Sequence, residues 1–326
     1  MKARNLMLAV AVFCFAGPAH AQPSADQVLT DMGLSAADKQ RVLGGEFVTG
    51  DVAPVSERDL SISIAFLVKT GPDALAAEIS SGDLLRVDPQ RKAHGEFKGD
   101  GTMADLAGLQ IDAGAASRLC DAKAGEALNL STAEIGFFHA LQGGPPAAVQ
   151  TQLQKMLLAR YQAYHSTGLA GITPYDRGGR TTDPADDLKK ASSAAAELEK
   201  YLPSLRNVLL GYPDATMPGM SETCRWIKYN IDGADTYVLS HTMLARDGQA
   251  RLVVQRQFYV STGYNGEQEI AGLLPVPNGT VVAYSNHTFT DQVAGWGGSA
   301  RRSIGRRMME TKLQQIFDRE RKQVAH

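Results

Sequence analysis

The chain is poor in the residues that announce chemistry. Cysteine occurs three times and tryptophan twice in 326 residues. No Cys-x-x-Cys pair is present, so neither a zinc knuckle nor a dithiol redox site is written in the sequence. The zinc motif His-Glu-x-x-His and the phosphate-binding Walker loop are also missing. Gly297-Gly298-Ser299-Ala300-Arg301 lacks the final glycine of a nucleophile elbow. Neither Cys120 nor Cys224 has a neighbouring histidine or cationic helix start to activate a thiolate. No catalytic residue, metal ligand or cofactor is therefore assigned. Charge of one sign is lacking too: 33 Lys and Arg oppose 35 Asp and Glu, for a net −2. That balance leaves no basic footprint for nucleic acid. Past the N-terminus no run approaches the ~20 apolar residues of a membrane span.

What is present begins with an export signal over residues 1–21. Lys2 and Arg4 precede an apolar run from Leu6 to Gly17, Pro18 breaks it, and Ala19-His20-Ala21 forms a small-x-small cleavage site before Gln22. Phe13 stands before Cys14 where a lipoprotein signal needs a small residue, so soluble export to the periplasm or beyond is expected. An oxidising compartment permits a Cys120–Cys224 disulfide. Two separate buried thiols are the alternative, because sequence does not supply the Cα separation that a bridge requires.

The remaining chain divides by pattern. Residues 22–44 read as two short helices, each opened by a capping serine (Ser24, Ser35) and stopped by glycine (Gly33, Gly44). Strands are expected over 46–52 and 59–69, the second alternating Leu60, Ile62, Ile64 and Phe66 with Ser61, Ser63 and Ala65. A short helix follows Gly71-Pro72-Asp73, and the glycine-broken stretch to residue 130 is irregular. Residues 131–212 are helical: 132–141, then 146–166 with a stripe of Val149, Leu153, Met156, Leu157, Tyr161 and Tyr164, then 183–201. Between the last two lies Tyr175-Asp176-Arg177-Gly178-Gly179-Arg180, rich enough in Arg and Gly to cradle an anion, although a solvated loop is the simpler account. From 224 to 290 five strands run in succession, with Asp232-Gly233, Asp247-Gly248 and Asn278-Gly279 among the joints. One long helix, 299–322, closes the chain, its apolar side formed by Ile304, Met308, Leu313, Ile316 and Phe317.

This order implies an α+β protein: a curved antiparallel sheet from 45–130 and 213–326, packed on the C-terminal helix, with 131–212 as an inserted helical segment. It resembles the helix-grip fold of the START-like (polyketide cyclase and lipid-transfer) superfamily over roughly 45–80 and 222–322. The segment between is larger than that fold's usual insert. The chain is also similar to a family of uncharacterised secreted bacterial proteins, through DLAGLQID at 105–112, Trp226 with Lys228, SHTML at 240–244 and GGSARRSIGRR at 297–307. That family implies no activity. The START-like resemblance implies a binding space for an apolar or amphipathic molecule between sheet and final helix.

Candidate ligand-binding residues are polar side chains set among apolar strand positions. His241 shares a strand face with Tyr237, Leu239 and Met243; His287 shares one with Val281, Ala283 and Phe289. Arg256 alternates with Leu252, Val254, Phe258 and Val260, and its guanidinium suits a carboxylate or phosphate head group or an acidic side chain across the sheet. Tyr237 and Tyr284 join if their faces are concave. Each also has a structural reading, as a hydrogen-bonded core residue. The final helix is basic, so contact with a membrane surface is a second expectation beside a solvated outer face. The leading expectation is non-catalytic binding of a lipid-like molecule. The alternatives are a hydrolase- or cyclase-like enzyme using a strand histidine as general base, and an envelope interaction module.

Overall fold

Ser24 and Ser35 cap helices as their sequence context predicts. Each accepts from a backbone N–H three residues on, and Gln27 and Asp38 reach back to close capping boxes on α1 (Ala25–Asp31) and α2 (Ala36–Leu43). The structure, a computed structural model, describes residues 23–323 except 51, 82–87, 126, 232 and 296; the export signal and Cys14 lie outside the described residues. Then come β1 (Val48–Gly50), β2 (Asp59–Val68), α3 (Pro72–Ser81), β3 (Arg91–Glu96) and α4 (Ala113–Cys120). The helical segment holds α5 (Thr132–His139), α6 (Pro146–Thr167), the small ladder β4 (Tyr175–Asp176) with β5 (Thr181–Thr182), α7 (Pro184–Ala194), α8 (Ala196–Tyr201) and α9 (Pro203–Gly211). The last third is β6 (Ser221–Ile231), β7 (Ala234–Asp247), β8 (Ala250–Val260), β9 (Gly266–Val276), β10 (Gly279–Phe289) and α10 (Gly298–Gln323).

The fold is α+β, built on one eight-stranded antiparallel sheet in the order β1-β2-β10-β9-β8-β7-β6-β3. The meander β6 to β10 follows the Asp-Gly and Asn-Gly turns. Both faces are covered. On one, Leu239, Phe258, Tyr259 and Phe289 pack with Leu153, Leu157, Tyr161 and Tyr164 of α6, and Ala65, Leu67 and Val281 pack under α1 and α2. On the other, Ile62, Ile64, Phe66, Leu273 and Val282 meet α3 and the half-buried Met309, Leu313 and Phe317 of α10. Double cover explains why β2 is buried along almost its whole length instead of on alternate residues.

Three expectations change. The stretch to residue 130 contains an edge strand, β3, paired with β6. Its Arg91, Lys92 and Glu96 carry the charge typical of an edge, which hides it from hydrophobic patterning. A bulge where Leu239 pairs Tyr259 and Ser240 pairs Gln257 leaves Phe258 unpaired. Phe258 and Tyr259 therefore both join the core under the helical segment, and Val260 turns to the other face with Ile227 and Val238. On α10, Ile304 and Met308 are 62% and 69% exposed, and Met309 takes their place against the sheet. The reason is Gly305: it sits so close to Leu60 that an added Cβ would come within 3.1 Å, which fixes the inward side of the helix one residue away from the expected stripe.

The segments 105–112 and 226–228, far apart in sequence, meet. The Trp226 indole N–H donates to the Asp105 carbonyl at 2.7 Å, and the Lys228 ammonium donates to the Gln110 carbonyl at 2.9 Å. Gly95 of β3 lies against the same indole so tightly that a Cβ would overlap the ring, whereas a Cβ on Gly108 would rest at an ordinary 3.6 Å. Gly95→Ala should lower stability by about 1–3 kcal/mol through overpacking, with Gly108→Ala within about 0.5 kcal/mol of the parent, measured by urea denaturation.

Candidate functional site

Paired residues of an antiparallel sheet point to the same side, so the register sorts the polar strand residues into two sets. Cys224, His241, Arg256, Gln268, His287 and Ser61 are successive partners across β6, β7, β8, β9, β10 and β2. They form one polar row, and it lies under the helical segment. The next rows over face α10: Ser240, Gln257, Glu267 and Thr288, then Thr242, Gln255, Glu269 and Asn286.

The first row is a structural network. Arg256 is fully buried. Its guanidinium donates to Leu209 O at 2.8 Å, Ser192 Oγ at 3.0 Å, Gln268 Oε1 at 3.2 Å and Tyr164 Oη at 3.3 Å. None of these acceptors is a carboxylate. Leu209, Ser192 and Tyr164 instead belong to the last turns of α9, α7 and α6, so the cation meets three helix C-termini, where backbone carbonyls leave partial negative charge. Tyr164 in turn donates to His241 Nδ1 at 2.9 Å, and His241 Nε2–H donates to Glu222 at 3.1 Å. Burial pushes the Tyr164 phenol up to about 12 and holds His241 below the ordinary imidazole value. Both facts fit a neutral imidazole accepting at one nitrogen and donating at the other. The bond from His241 lowers the Glu222 carboxyl. His287 binds Asp59 through Nδ1 at 2.8 Å. Tyr237 is buried in the same core.

The second set lines a cavity of about 380 Å³ between the sheet and α10. Pockets for small organic ligands span about 300–1,000 Å³. One end is apolar: Phe66, Leu75, Val253, Leu273, Val282 and Phe317. The other is polar: Ser240, Thr242, Gln255, Gln257, Glu267 and Glu269, beneath Lys312. Phe317 stacks on Phe66 and meets Tyr284 edge-on, each at 5.0 Å between centroids. Glu267 is the buried centre of the polar end. It accepts from Gln257 Nε2 at 2.5 Å, Thr288 Oγ1 at 2.9 Å and Asn286 Nδ2. Burial nonetheless holds its carboxyl above the usual glutamate range, with those donors and Lys312 opposing the shift.

Of the five residues chosen from sequence, Tyr284 lines this cavity. Tyr237, His241, Arg256 and His287 do not; they face the helical segment. Alternation identified which strand residues share a face, but with both faces covered it could not tell which cover each face meets. The cavity's polar residues were missed for the same reason. Gln255 and Gln257, and Glu267 and Glu269, recur at period two, a pattern that ordinarily marks a solvent face. Arg177 is no anion cradle either: its guanidinium is used by Asp291, Gly125 O, Asn129 and Asn265. Cys120 and Cys224 are both free buried thiols, so the bridge left open by the sequence is not formed. Burial raises the thiol pKa of each. Among the described residues no cluster of His, Cys, Asp and Glu is arranged to hold a metal ion, and no helix is long and apolar enough to cross a membrane.

No family model matches the chain, and no curated protein or solved structure does so either.

The polar row carries a pH signature. Below the ordinary imidazole value of 6.5 the unfolded chain binds a proton that buried His241 resists, so this residue's contribution to stability falls as pH drops. Glu267, with its raised value, acts in the opposite direction above 4.5. The difference between parent and His241→Gln therefore isolates the histidine. The parent should lose more thermal stability than the variant on acidification below 6.5, followed by circular dichroism; parallel curves would remove His241 as the cause.

Proposed function

We propose that the protein is a non-catalytic carrier of an amphipathic small molecule or lipid, held between the sheet and α10 in the manner of a START-like helix grip, and acting in the periplasm or outside the cell. The observation that carries this reading is the cavity, with an apolar end and a carboxylate-centred polar end in one continuous space. An amphiphile matches both ends, its tail against the apolar residues and hydrogen-bond donors of its head group against the carboxylates and amides of Glu267, Glu269, Gln255 and Gln257. An enzyme based on His241 or His287 gains no support, because both lie on the opposite side of the sheet from the cavity. A docking role for the helical segment finds little surface: among its described residues Phe137 is the one large apolar side chain that is exposed.

Native mass spectrometry of protein isolated from the bacterial envelope, followed by denaturing extraction, tests the proposal. The expected result is a stoichiometric amphiphile that Ala271→Trp, which fills the cavity from the floor of β9, no longer retains. Glu267→Gln should weaken retention by about 10- to 100-fold, the worth of one hydrogen bond to a charged group. A parent protein that stays empty after incubation with envelope lipid extract would sink the carrier reading.

A further inference from the structure

The outward side of α10 is unlike the rest of the surface. The helix holds eight Lys and Arg against three Asp and Glu in a chain whose net charge is −2. Its exposed residues include Arg301, Ile304, Arg307, Met308, Lys312 and Arg319. Ile304 and Met308 stand one turn apart, with Arg301 and Arg307 each three residues from Ile304, on either side of it. The large apolar side chains exposed among the described residues are few: Leu43, Phe137, Ile304 and Met308. Two of them thus fall on one turn of the most basic helix. Nothing in the fold calls for that placement, since Met309, Leu313 and Phe317 already supply the contact with the sheet.

We propose that this outward side is a docking surface for an anionic phospholipid bilayer, with Ile304 and Met308 entering the acyl boundary and Arg301, Arg307 and Arg319 pairing with headgroup phosphates. Charge complementarity selects this occupant. A helix lying in an interface joins an apolar insertion to a cationic flank, and the two act together because phosphates surround the apolar boundary they border. A second copy of the chain would have to place like charges against each other across the same face. Arg301, Ile304, Arg307, Met308 and Arg319 do not line the cavity, whereas Lys312 does, so docking without Lys312 and ligand binding use different residues and can fail separately.

The test is sedimentation of the full chain, freed of its leader, with vesicles of phosphatidylcholine alone or mixed with phosphatidylglycerol. Partitioning onto the mixed vesicles, lost in high salt and absent on phosphatidylcholine, is the expected result. Arg307→Glu with Arg319→Glu should weaken it by about 25-fold or more, taking about 1 kcal/mol per basic residue near the surface. Ile304→Ser with Met308→Ser should weaken it at unchanged net charge. All four positions are exposed, so thermal unfolding should match the parent and separate lost docking from lost folding. Equal binding to both vesicle types, or binding unaffected by either double substitution, overturns the proposal. So does a parent that light scattering shows to be a dimer which Ile304→Ser with Met308→Ser converts to monomer. Ala271→Trp should still sediment with the vesicles: a variant that docks while empty leaves this proposal standing whatever becomes of the carrier reading.

Discussion

A guanidinium without a carboxylate organises half of this molecule. Burying Arg256 is costly unless its charge is answered, and the sheet around it offers the neutral amide of Gln268. The answer comes from above, where the last turns of α6, α7 and α9 converge on one cation. That requirement fixes where each of the three helices ends. Gly168 just past α6 takes φ +60° at a point where any side chain would collide with the Tyr212 carbonyl, so the chain leaves the helix without displacing its last turn. Ion pairs clamp the same region at its margins: buried Arg160 with Glu134 at 2.6 Å, and half-buried Arg58 with the fully buried Asp187 at 2.9 Å. Each keeps its partner charge matched, and removing one member would leave the other stranded.

The cavity face works by a different rule. Its polar residues are neutral amides, hydroxyls and carboxylates that satisfy one another in the plane of the sheet: Tyr264 on Gln257, Gln257 on Glu267, Asn286 on Glu267 and on the Tyr284 hydroxyl. These hydrogen bonds run among sheet residues and the neighbouring Tyr264, not to a helix terminus. α10 crosses with half-buried Met309, Leu313 and Phe317, and space remains beneath it. The sheet is thus filled on one side by large side chains and helix ends, and lined on the other.

The sequence exposes the elements more readily than it exposes their neighbours. Capping serines, the α6 stripe and the turns of the meander are local chemistry, and each appears where that chemistry places it. β3 escapes notice because an edge strand carries charge in place of an apolar pattern. The Phe258 bulge escapes because one extra residue reverses a face without altering composition. The site was mislocated for a non-local reason: a polar residue at period two looks the same whether it faces water, a helix end or a cavity. Arg256 stands out among apolar neighbours, but what it answers is two hydroxyls, an amide and one backbone carbonyl of the protein itself. Glu267 and Glu269 looked ordinary because acidic residues on a strand usually are.

The unequal covering of the two faces divides the molecule by local stability. Separating α6 from the sheet would strand Arg256, break the Tyr164–His241 bond and uncover the stacked Tyr164–Phe258 pair, whose rings lie 3.9 Å apart. Lifting α10 uncovers a few half-buried side chains and leaves the hydrogen-bonded polar lining largely intact. Opening free energies in a folded protein track the contacts that each unit alone contributes. Backbone amides of α10 should therefore exchange with solvent through a partial opening that the strands beneath do not share, as a cooperative unit of its own would.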